Sequence, residues 1–111
     1  MKIPPGDIQW LESKAMPYFG VRALRIETSP SEKKWPDIWI VGNQITVTRE
    51  WLKQKYHERR KRLTHELIHA AWGFDHGRKG KYDFNTIPKK DSFSMTIYLD
   101  IMKNSGGGKL Q

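Results

Sequence analysis

Apolar positions along the chain fall into two periods, and the changes between them divide it into elements. Ile8, Leu11 and Ala15 recur at helical spacing behind Asp7, a residue suited to capping, and ahead of Pro17, so a short helix through about Met16 is predicted. Residues 21–28 are rich in β-branched and apolar side chains and read as a strand. Residues 38–41 and 44–47 read as two more strands, joined by Gly42-Asn43, a two-residue loop of hairpin type. From Thr48, a second capping residue, no Gly or Pro intervenes until Gly73, which predicts a helical region either continuous or broken near residues 54–57. A loop over 74–90 carries Gly77, Gly80 and Pro88. Asp91 or Ser92 then caps a last helix to about Lys103, with Phe93, Ile97, Tyr98, Ile101 and Met102 as its apolar stripe. Helix, strands, then helices is the order of an α+β fold: a small, mainly antiparallel sheet with helices packed on one side.

Composition narrows the class. The 111 residues suffice for one hydrophobic core, and five Trp, four Tyr and four Phe provide large apolar surfaces despite a mean hydropathy of −0.75. Residues 1–103 are expected to form that domain, and residues 104–111, with glycine at 106–108, a flexible tail. The absence of cysteine excludes disulfides, thiolate metal sites and a cysteine nucleophile, and fits a reducing cytoplasmic setting. No segment approaches the roughly 20 apolar residues of a membrane span, and the N-terminus has no signal-like apolar stretch, so no membrane partner is expected. The net charge of +8 is concentrated in Lys53, Lys55, Arg59, Arg60, Lys61 and Arg62. Such a run is either a nucleic-acid contact or a solvated helix face, and the solvated face is preferred.

His65-Glu66-Leu67-Ile68-His69 has the spacing that sets two imidazoles one helical turn apart on one face, within reach of a single ion. At about 100° per residue, Leu63, Leu67, Ala70 and Ala71 gather on the other side, so one helix can pack and coordinate at once. A catalytic zinc ion takes three protein ligands and leaves one position open. Three of the four histidines lie within twelve residues, and Gly73 can end the helix so that His76 turns back as the third ligand. Asp91, 22 residues after His69, is the rival ligand, with helix capping as its plainer role. Asp75 or Asp83 can orient a ligand histidine, and Tyr82 or Tyr98 can donate to an oxyanion, although a core position is the simpler reading of either tyrosine.

With zinc at His65, His69 and His76, Glu66 is the general base of a metal-assisted peptide hydrolysis. Substrate is expected to be unfolded or extended polypeptide lying against an exposed sheet edge, Gln44–Thr48. The competing function, from another class, is a basic nucleic-acid-binding module with a structural zinc site.

Over His65-Glu66-Leu67-Ile68-His69-Ala70-Ala71-Trp72-Gly73-Phe74-Asp75-His76, with Phe84-Asn85 and Asp91-Ser92-Phe93 downstream, the chain resembles the minigluzincins, archaeal zinc peptidases of about this length. The resemblance spans the chain in length and element order and is most specific over residues 65–76. It implies a minimal, soluble zincin-like catalytic domain related to that of certain integral-membrane zinc proteases, with histidine as third ligand at the position of His76. Metzincin spacing does not fit, since Gly73 and His76 each fall one residue too late, and SprT-like proteases usually need more chain around the motif. The resemblance also implies a zymogen whose C-terminal segment covers the site, so that residues 104–111 enter the cleft and the carboxylate of Gln111 reaches zinc. An untethered tail is the alternative.

Overall fold

Pro5 opens the first helix at a position whose N–H would have no helical partner, giving α1 (Pro5–Trp10). The computed structural model describes residues 2–30, 36–72 and 90–104. After α1 the path widens into a π turn, Leu11–Ala15, and closes as α2 (Met16–Phe19). Gly20 ends it at a left-handed φ of 71°, and Val21 N–H donates to Met16 C=O at 2.9 Å. Pro17 thus does not close the helix as its position predicts. It has no N–H to give Ser13, and the π turn just before it is the kind of readjustment that accommodates an interior proline. Nor is Asp7 a cap: it lies inside the first turn, buried, and accepts from Arg59 Nε at 2.5 Å and Arg60 Nε at 2.9 Å.

The sheet has three strands, β1 (Arg25–Thr28), β2 (Ile38–Val41) and β3 (Gln44–Val47), in the order β1-β3-β2. β2 and β3 form the expected antiparallel hairpin, Val41 opposite Gln44, with Gly42 at φ 61° in the turn. β1 runs parallel to β3, and its four residues match the four that β3 offers, so residues 21–24 of the predicted strand remain outside the ladder. Gln44–Thr48 is therefore not an open edge. β3 is the central strand, and among the described residues the open edges belong to β1 and β2.

The helical region after Thr48 is broken at 53–55 into α3 (Arg49–Leu52) and α4 (Tyr56–Trp72). Thr48 does not cap α3 with its side chain; its hydroxyl donates to Asp37 C=O at 3.2 Å and joins the start of β2 to the end of β3. α5 (Lys90–Asn104) is the last helix, and Tyr98 and Ile101 of its stripe are buried while Ile97 and Met102 are partly so. Together these elements give the expected α+β architecture, with Leu11, Ile45, Trp51, Leu67, Tyr98 and Ile101 at its centre. Ala70 and Ala71 are exposed, and Thr64 and Ile68 are buried with Leu63 and Leu67 instead. No helix among the described residues is long and apolar enough to cross a membrane.

The basic run is a solvated face only in part: Lys53 and Lys55 are exposed, whereas residues 59–62 are half-buried and paired. Arg59 and Arg60 hold Asp7, Arg62 holds the buried Asp37, Lys61 meets Glu58 at 3.0 Å and Lys53 meets Glu50 at 3.9 Å. Removing one partner of a buried pair strands the other charge, so Asp7→Ala is expected to lower folding stability by about 3–5 kcal/mol in urea denaturation; a loss below about 1 kcal/mol would show that the arginines are solvated without it.

Tyr18 ties α2 to α5 by donating to Asp100, and burial first, then that bond and the Asp100 charge, push its hydroxyl up to about 12 from 10.0. The folded value lies above the unfolded one. Stability from this group is thus full below pH 10.0 and is lost as pH rises towards 12. Tyr18→Phe should flatten that part of the pH–stability curve; an unchanged alkaline slope would mean that folding does not shift the ionisation of Tyr18.

Candidate metal centre

On α4 the packed residues Leu63, Leu67 and Ile68 turn inward, and the same helix carries His65 and His69 on an adjoining face that opens to a cleft. The two Nε2 atoms stand 3.0 Å apart, with ring centroids 4.7 Å apart and the rings inclined at 77°. Donor atoms of His65, Glu66 and His69 all lie within 4.8 Å of one another. Two nitrogens on one tetrahedral ion at about 2.0–2.1 Å are about 3.3 Å apart. The observed pair is within a few tenths of an ångström of that spacing, so the donor set fits a metal ion. Behind His65, Nδ1 meets Ser94 Oγ of α5 at 2.8 Å.

Glu66 is only 9% exposed, and burial, reinforced by the negative charge of Asp37, raises its carboxyl from 4.5 to about 7. A divalent cation at the imidazoles would act in the opposite direction, favouring the carboxylate. Asp37 is itself fully buried. Burial raises its pKa against the opposing pull of Arg62, and its Oδ1 has no hydrogen-bond partner among the described residues. The cleft measures about 290 Å³; Pro36, Asp37 and Ile38 form the wall at the start of β2, Lys61 and Arg62 the wall along α4, and Ser94 contributes from α5. Two imidazoles with converging nitrogens beside a shielded carboxyl can hold an ion and handle a proton at the same place.

Of the residues singled out from sequence, His65, Glu66 and His69 are brought together. His76, Asp75, Asp83 and Tyr82 lie outside the described residues, as do the side chain of Asp91 and the tail from residue 105. Tyr98 is a core residue: it packs edge-on against Trp10 at 5.7 Å and its hydroxyl meets His57 Nδ1 at 2.6 Å, away from the cleft. Asp37, Arg62 and Ser94 are among the cleft residues that the sequence reading does not single out as part of a site. Arg62 could have been found from its place one turn before Glu66, and Ser94 from its interruption of an apolar stripe four residues before Tyr98. Asp37 carries no such signal, because its partner is 25 residues away.

Comparison with protein families, curated proteins and solved structures found no match. The donor geometry predicts that the chain binds a divalent metal ion through this pair, with binding lost in both His65→Ala and His69→Ala, as read by elemental analysis after dialysis. Equal metal content in wild type and both variants would place the ion elsewhere.

Proposed function

We propose that the chain is a zinc-dependent endopeptidase in which His65 and His69 hold the ion and Glu66 is the general base. The observation that carries this reading is the convergence of both imidazoles and the shielded Glu66 carboxyl on one cleft. Zinc suits the donors: the sequence offers no thiolate, and imidazole with carboxylate is a common catalytic zinc set. His76 is proposed as the third ligand, with Asp91 as its rival. Resemblance to the minigluzincins supports the same assignment, and the absence of cysteine fits action in a reducing cytoplasm.

Bound there, zinc would polarise the scissile carbonyl and acidify a water molecule. His65 and His69, as neutral ligands, would leave the ion's charge undiminished. Glu66 takes the proton from the attacking water and returns it to the departing amine, and its burial keeps that proton from bulk solvent. The substrate strand is proposed to lie along β2, an edge that is open among the described residues and whose first residue, Ile38, also lines the cleft. That geometry suits unfolded or extended polypeptide, because main-chain hydrogen bonds to an edge strand are indifferent to sequence. Residues 105–111 are proposed to act as a latency segment.

A nucleic-acid-binding role is less well supported, since five of the six residues in the basic run are engaged with Asp7, Asp37, Glu50 or Glu58. In protein lacking residues 105–111, Glu66→Gln should retain one zinc per chain and lose about 10²–10⁴-fold in casein cleavage. Cleavage by Glu66→Gln at the wild-type rate would remove Glu66 from the mechanism.

A further inference from the structure

We infer that Ser94 is a positioning residue of the metal centre: from α5 its hydroxyl oxygen accepts the Nδ1–H of His65 and holds that imidazole in the tautomer whose Nε2 is a lone-pair donor. The role rests on the metal-binding reading of His65 and His69. Ser94 is 1% exposed and stands on the buried side of α5 with Tyr98 and Ile101, where an apolar residue would ordinarily pack. A hydroxyl in such a place needs a partner, and His65 Nδ1 is 2.8 Å from it. Neutral imidazole carries one N–H, so the bond at Nδ1 decides what Nε2 can do. If Ser94 donated, Nε2 of His65 would carry the hydrogen and face the Nε2 of His69, 3.0 Å away, unable to bind an ion. If Ser94 accepts, that nitrogen presents its lone pair into the cleft between the two rings.

The arrangement also links metal binding to the docking of α5. α4 supplies both imidazoles, but α5 sets the orientation of one of them. Loss of a group that orients a ligand histidine typically weakens metal binding by about 10–100-fold.

Two readouts test this. The first is zinc affinity of wild type, Ser94→Ala and Ser94→Thr by competition with a chromophoric chelator, with circular dichroism confirming that each variant is folded. Ser94→Ala should bind zinc about 10–100-fold more weakly, and Ser94→Thr, which keeps the hydroxyl, should recover most of the loss. The second is the His65 tautomer in metal-free protein by ¹⁵N–¹H long-range correlation spectra: Nδ1–H in wild type, shifted towards a mixture in Ser94→Ala. Equal zinc affinity in wild type and Ser94→Ala would overturn the role, as would an Nε2–H tautomer in the wild type. A wild type that binds no zinc would defeat the metal-centre reading while leaving the tautomer measurement to decide the Ser94 contact by itself.

Discussion

Everything in this fold depends on how α4 is held, and two buried aspartates hold it. Asp7 from α1 takes Arg59 and Arg60, and Asp37 from the approach to β2 takes Arg62. The arginines lie within a turn of one another, so the helix is tied to the N-terminal helix on one side and to the sheet on another. The guanidinium groups are also packed against rings, Arg59 over Trp51 at 5.8 Å and Arg60 over Tyr56 at 4.9 Å. Such pairs fix geometry more surely than they add net stability, because desolvation offsets much of the attraction. Together with the burial of Leu63, Leu67 and Ile68, they constrain which face of α4 turns inward.

That orientation of α4 also places the candidate metal centre. With Leu63 and Leu67 turned into the core, His65, Glu66 and His69 border the cleft beside the edge strand β2. Asp37 serves both ends of this arrangement: it anchors Arg62, and its charge raises the proton affinity of Glu66. A buried carboxyl beside another buried carboxylate is unfavourable in isolation. A divalent ion between the imidazoles would relieve it.

Local patterns were the legible part of this chain. Gly42-Asn43 specified the hairpin, because a two-residue turn fixes the register by itself. The His65–His69 spacing placed two imidazoles on one helical face, because the period of a helix does not depend on its surroundings. What could not be read were the roles set by distant partners. Asp7 looked like a cap because its arginines lie 52 and 53 residues away. Arg59, Arg60 and Arg62 looked solvated for the same reason, and β3 looked like an edge because its second partner, β1, is not its neighbour in sequence. Pro17 marks a different gap, since a π turn leaves no mark in the pattern of apolar residues.

The decisive observation would be a crystal structure of the zinc-loaded protein with anomalous data collected at the zinc edge. A single peak about 2.0–2.1 Å from Nε2 of both His65 and His69, with the Glu66 carboxyl beside its open coordination position, is the expected result. A peak at any other group of side chains, or none in protein shown to carry zinc, would contradict the assignment of this cleft as the metal centre.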